Sequence, residues 1–244
     1  MGLMLAKQSD KYVSRDTLAT IPTPEGTDTW HPVAHVDVVR AVETAVAERG
    51  GVIAAERFGL ARGSQKMFGV LTLAQKDNPD WTYAIGVRNS HDQSFAAGIC
   101  CGVSVIVCSN LCFGGEHVLK RRHTSGIDVD AIAAETVDCI DEGFLSLEER
   151  IEQLRDMAVP SDDWARCLVV HAAEHGVIAS CDILSVFREY LEPRHGEFSQ
   201  RTQWSLLNAF TEVSHRFQPP KADAFHRRLT RLFGLDGQPA LVAP

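Results

Sequence analysis

No stretch of this sequence approaches the roughly 18 uninterrupted apolar residues of a membrane-crossing helix, and residues 1–10 lack the apolar core of a secretion signal. No membrane association is expected, and the expected location is the cytoplasm. Several motifs are missing: no Walker A loop, no Gly-x-Gly-x-x-Gly after a strand, no Gly-x-Ser-x-Gly elbow and no Cys-x-x-Cys pair. Nucleotide hydrolysis, dinucleotide redox chemistry and hydrolase chemistry of those types lose weight accordingly, and no cofactor is expected. Basic residues are also outnumbered, 24 Lys and Arg against 32 Asp and Glu, for a formal charge of −8. Such a chain does not bind nucleic acid through its overall field, although a local basic face remains open.

Cysteine is present in seven copies, an odd number, and Cys100 and Cys101 are neighbours inside an apolar run. This pattern suits buried, reduced thiols better than a disulfide framework. The rest of the composition is ordinary: 45% apolar and 23% charged residues over 244 positions, enough for one large domain or a domain with a helical subdomain. Charge is uneven along the chain. Residues 135–163 carry mostly acids, whereas residues 201–231 carry Arg201, Arg216, Lys221, Arg227, Arg228 and Arg231 against Glu212 and Asp223.

Residues 1–34 hold Pro22, Pro24, Gly26 and Pro32 among threonines, too many breakers for a helix, and read as an irregular arm. Apolar positions at helical spacing predict a first helix over 35–48, closed by Gly50-Gly51. Three β-forming runs follow, 52–61, 66–74 and 81–88, separated by turn residues and readable as an antiparallel meander. The small residues of 94–101 predict a short helix, and the apolar run 103–108 a buried strand. From residue 127 the period changes to 3.6, giving helical runs at 129–157, 161–175, 181–191, 201–217 and 222–233. The expected fold is α+β, a small, mainly antiparallel sheet of about four strands covered by helices, with a helical C-terminal half. Its parts are an arm (1–34), a sheet-containing core (35–126) and a helical part (127–244) packed on that core as one domain.

The least ordinary segment is Arg88-Asn89-Ser90-His91-Asp92, consecutive polar residues after a strand and before the expected helix. Such a cluster faces a ligand or caps the helix that follows, and both readings stand. A second concentration follows the buried strand: Cys108, Cys112, His117 and the run Lys120-Arg121-Arg122-His123. Those cysteines and histidines lack a recognised zinc spacing, so no metal site is expected, and the basic run reads as a phosphate contact or as a solvated loop. A third group, Cys167, His171 and His175 at i, i+4 and i+8 beside Leu168, Val169 and Val170, reads as packed core.

Three segments resemble the phage- and plasmid-borne family known as domain of unknown function 932. They are Gly86 to Ser94 with its Asn-Ser-His-Asp core, Val105 to Leu111 followed by His123-Thr124, and a helix bearing Trp204, Asn208-Ala209 and Thr211-Glu212. The resemblance implies a mobile-element setting whose neighbouring functions concern DNA replication, recombination or maintenance. A three-strand meander followed by a short helix also resembles the core of single-strand annealing proteins, which hold the backbone in a basic groove and assemble into rings. The expected function is therefore binding or annealing of single-stranded DNA by a phage- or plasmid-type accessory protein, with a homo-oligomer as a further partner. Its candidate nucleic-acid contacts are Arg88, Asn89, Ser90, His91, Asp92, Lys120, Arg121, Arg122 and His123, the two segments expected on one side of the sheet. The alternatives are a metal-assisted enzyme using His91 and Asp92 with His117 and His123, or an interaction protein that inhibits a host defence system.

Overall fold

The β-forming runs pair as their spacing predicts. The computed structural model describes residues 12–74, 81–105, 111–113, 119–121, 128–138, 140–235 and 240. Among these, seven strands build one sheet: β1 (Tyr12–Val13), β2 (Ile53–Ala61), β3 (Lys66–Leu73), β4 (Trp81–Ser90), β5 (Ala97–Val105), β6 (Leu111–Phe113) and β7 (Leu119–Arg121). They lie in chain order from β1 to β6, β7 shares the β5 edge with β6, and every pairing is antiparallel. Four of them are long. The β2–β3 hairpin closes through Arg62, Gly63 and Ser64, all at positive φ (52°, 61° and 69°).

Two expectations are corrected here. The segment expected as a helix at 94–101 enters β5 from Ala97 onward, and the strand expected to begin at 103 begins there too; its last expected residues, 106–108, lie outside the described residues. The reason is a period of two: Gly98, Cys100 and Gly102 alternate with Ile99 and Val103, and glycine favours an extended path beside neighbouring backbone over a helix interior. The N-terminal arm is also less irregular than expected. It contains β1, paired with β2, and a five-residue helix α1 (Arg15–Ala19) capped by Ser14, whose hydroxyl accepts the amide of Thr17; residues 21–34 form neither helix nor strand.

Alternation along the strands divides the sheet into two faces. Phe58, Met67, Leu71, Ile85, Val87 and Ile99 pack with Val39, Val42 and Val46 of helix α2 (His35–Glu48) and with Ile132 and Val137 of helix α3 (Val129–Asp138). Phe68, Val70 and Ala84 form a smaller cluster on the opposite face, with Ala61, Phe95 and Cys100 against it.

The C-terminal half is helical, as its periodicity requires: α4 (Ile140–Asp156), α5 (Asp162–Glu174), α6 (Ile183–Leu191), α7 (Gln203–Ser214) and α8 (Pro219–Leu232). The run expected at 129–157 is occupied by α3 and α4, with residue 139 outside the described residues. Helix α4 joins the two cores, since Phe144 packs with the sheet cluster while Leu147, Ile151 and Leu154 pack among the later helices with Trp81 and Val103. Its Glu148 Oε1 accepts both the Trp81 indole N–H (3.4 Å) and the Tyr83 hydroxyl (2.8 Å). Helix α7 is buried from Trp204 to Ser214. Its polar side chains turn back on their own helix: Asn208 donates to the Trp204 carbonyl, Thr211 to Asn208 and Ser214 to Thr211, which satisfies them without water.

Candidate functional site

The polar segment at the end of β4 gathers three stretches of chain. Asn89 shares the parity of Val87 and Ile85, so its side chain enters the α2 face, where it is fully buried. Its Nδ2 donates to the Val33 carbonyl (2.8 Å) and to His35 Nδ1 (3.0 Å). That leaves the His35 proton on Nε2, which donates to the Ser64 carbonyl in the β2–β3 turn (2.9 Å). His91 Nε2 donates to the same Val33 carbonyl (2.9 Å), its backbone amide to the Gln65 carbonyl (2.7 Å), and its ring stacks on His35 with centroids 3.8 Å apart and planes within 3°. The arm before α2, the β2–β3 turn and the end of β4 are thereby tied together.

Beside this core lies a charged rim. Asp92 Oδ1 accepts the Ser94 amide, and Oδ2 lies 3.5 Å from Arg62 and 3.6 Å from Lys66. Burial pushes the Asp92 carboxyl up, but the hydrogen bonds from Ser94 and the cations Lys66 and Arg62 outweigh it and hold the group below its ordinary value. For His91, burial lowers the pKa below the ordinary imidazole value, with the bond to Val33 opposing. Ser90 Oγ donates to the Phe95 carbonyl (2.6 Å) and closes the turn that carries Phe95 onto the opposite face. There the half-buried Phe95 ring lies 5.2 Å from the Arg88 guanidinium, 5.4 Å from Lys66 Nζ and 5.4 Å from the Phe68 ring. Among the described residues, every non-glycine position with positive φ borders this site: Arg62 and Ser64 in the turn, and Gln93 at 59°. Backbone in that region is held by its surroundings, and it gathers at functional sites.

The expected site residues therefore separate. Asn89, Ser90 and His91 are buried and bonded to the protein's own backbone, and Arg88, also buried at 9% exposure, lies on the face opposite Asn89. No helix follows Asp92, so the capping reading fails, and the Asn, Ser and Asp side chains close turns and hold the arm instead. The sheet register aligns Phe68, Arg88, Gly98 and Lys120 in one cross-strand row, with Arg121 opposite Ala97. Arg88 and Lys120 are thus two strands apart, a backbone separation of about 10 Å. Arg122 and His123 lie outside the described residues, as do Cys108 and His117. Among the described residues no three His, Cys, Asp or Glu side chains converge as metal ligands.

The α5 group is corrected. Cys167 and His175 are exposed, His171 is half-buried with its ring 4.0 Å from His175, and Val170 is exposed. The buried stripe is Ala165, Leu168, Val169 and Ala172, so 167, 171 and 175 fall on the other side of the helix. Cys100, Cys167 and Cys181 are free thiols, but Cys167 and Cys181 are exposed where buried thiols were expected.

A family model described as a domain of unknown function, DUF932, matches residues 26–233. The chain belongs to the DUF932 family. No curated protein and no solved structure matches it. Two of the segments that carried the resemblance play structural parts in this DUF932 chain: Asn89 and His91 fasten the arm, and Trp204, Asn208, Thr211 and Glu212 line a buried helix. Glu212 is held there by Arg194 (2.7 Å) and lies 3.3 Å from His215 Nδ1. Sequence reasoning did not single out His35, Lys66 or Phe95. His35 opens a helix and reads as a first-turn residue, Lys66 reads as the polar start of a strand, and Phe95 sat inside the segment taken for a helix; only the sheet pairing brings them together.

Proposed function

We propose that the protein binds single-stranded DNA across the sheet face that carries Arg88, as an accessory protein of annealing or maintenance in a phage or plasmid setting. One observation carries the reading: Lys66 and Arg88 flank the half-buried Phe95 ring, and Arg88 shares a cross-strand row with Lys120, next to Arg121 and the run that continues to His123. Cations spaced across a sheet with an aromatic between them suit a flexible, unpaired strand, whose phosphates meet the cations and whose bases meet the ring. In this reading Asn89, Ser90, His91 and Asp92 are positioning residues, because their polar atoms hold the arm and the turn that present Phe95.

The formal charge of −8 gives the chain no long-range attraction for DNA, so affinity rests on these local contacts and falls steeply with salt. A titration of a fluorescently labelled single strand tests this. Saturable binding in about 50 mM salt that weakens by tenfold or more near 200 mM is expected, and no binding at the lower salt sinks the proposal.

A further inference from the structure

Helix α8 presents a second basic feature far along the chain from the sheet face. Its core side carries Ala222, Phe225, Leu229 and Leu232, packed with α7 and the other late helices. On its other side Ala224, Arg227, Arg228 and Arg231 follow at i, i+3, i+4 and i+7, one stripe of a helix. This stripe faces the end of α5, and between them lies a cleft of about 410 Å³ bounded also by His175 and Val177. The small Ala224 and the buried Val177 leave room between the cationic side chains, and no acidic residue is among the described residues that line the cleft.

The wall on the α5 side is built for a cation. The helix ends in a left-handed Gly176 (φ 67°), with the Val177 amide returning to the Ala172 carbonyl (2.8 Å). Arg228 Nη1 donates to the Gly176 carbonyl, at the negative end of the α5 dipole. A Cβ on Gly176 would stand 3.1 Å from that guanidinium nitrogen, so the glycine both permits the turn and admits the arginine. Arg228 is thereby fixed as one wall, and Arg227 and Arg231 stand one turn apart along the same stripe.

We propose that this cleft binds a phosphate-bearing ligand of nucleotide size. Three guanidiniums and an imidazole around one cavity match the several acceptor oxygens of a phosphate or diphosphate, guanidinium forks engage such groups in pairs, and the volume lies within the range of small-molecule sites. The phosphate arrives on a free nucleotide or at the end of a DNA strand, and the ligands used in the test separate these sources.

The test is calorimetric titration of the full chain at fixed ionic strength with inorganic pyrophosphate, deoxyadenosine monophosphate, a 5′-phosphorylated oligonucleotide, the same oligonucleotide without the phosphate, and uncharged adenosine. Pyrophosphate and the mononucleotide are expected to bind and adenosine not to bind. A gain on 5′-phosphorylation of the oligonucleotide assigns the site to strand ends, and equal binding of both oligonucleotides assigns it to the free nucleotide. The double variant R227A/R231A is expected to weaken pyrophosphate at least tenfold, and A224E, which sets a carboxylate in the cleft from a half-buried helix position, to do the same with the helix content unchanged. Pyrophosphate binding that is absent, or identical in the wild type and A224E, overturns the proposal. Substitutions on the sheet face are expected to leave pyrophosphate binding unchanged, so the two sites succeed or fail separately.

Discussion

Both protons of the Asn89 amide are committed to the arm, one to the Val33 carbonyl and one to His35, inside a site with no exposure to water. Asn89→Ala leaves His35 Nδ1 buried without its donor and removes one of the two donors to the Val33 carbonyl, which His91 still serves; the unpaired nitrogen costs about 1–3 kcal/mol, urea denaturation is expected to show it, and a loss below about 0.5 kcal/mol would mean that the arm is held elsewhere. The stacked pair of His35 and His91 has a pH consequence. His91 has its pKa lowered by burial, and His226, a buried residue of α8 near His215, is pushed down to about 3 by its burial and by His215. Groups depressed in the folded state are protonated first in the unfolded one, so their contribution is complete above the ordinary value of about 6.5 and is lost as pH falls below it. The urea midpoint is expected to drop between pH 7.5 and pH 5, and to drop less in H226Q; equal midpoints at the two pH values would contradict this. The Asn-Ser-His-Asp cluster was conspicuous in the sequence as a polar patch, but its direction was not. Parity along a strand decides which side chain enters the core, and the residues that receive Asn89 and His91 lie more than fifty positions earlier in the chain.

At the scale of elements, β3 shows how closely the sheet is fitted to α2. Gly69 lies opposite Phe58 on one side and Val87 on the other, and a Cβ there would stand 2.7 Å from a carbon of each. Gly69→Ala therefore overpacks the α2 face and is expected to destabilise by about 1–3 kcal/mol, read as a lower thermal midpoint; an unchanged midpoint would show that Phe58 has another place to go. Helix α2 was legible to the residue, because its valines repeat at 3.6 and Gly50 stops it at φ 73°. Strands β2 to β4 were legible because turn residues separate them. Strand β5 was not: glycine, alanine and cysteine carry little periodic signal, and its place is fixed by β4, whose Arg88, Gly86 and Ala84 pair with Gly98, Cys100 and Gly102. In α5 the three consecutive apolar residues 168–170 hid the stripe, since only two of them face inward.

The molecule as a whole joins a meander sheet to a helical half through α4, and its basic residues are local exceptions to an acidic total. The Phe95 ring packs on the small sheet cluster of Phe68, Val70 and Ala84, and α8 packs in the helical core. Binding at the sheet face is expected to depend on residues 66, 95 and 120–122 and to be indifferent to Arg227. The most direct measurement is fluorescence anisotropy of a labelled single strand, at about 50 mM salt, against wild type, F95A and the combined Lys120, Arg121 and Arg122 to Ala variant. Thermal melting of each protein checks that it is folded at the temperature of the titration. The account predicts that the triple variant weakens binding at least tenfold and flattens the salt dependence, that F95A weakens it by about 1–3 kcal/mol, and that an unlabelled duplex competes poorly. Unaltered single-strand affinity in both folded variants would contradict it.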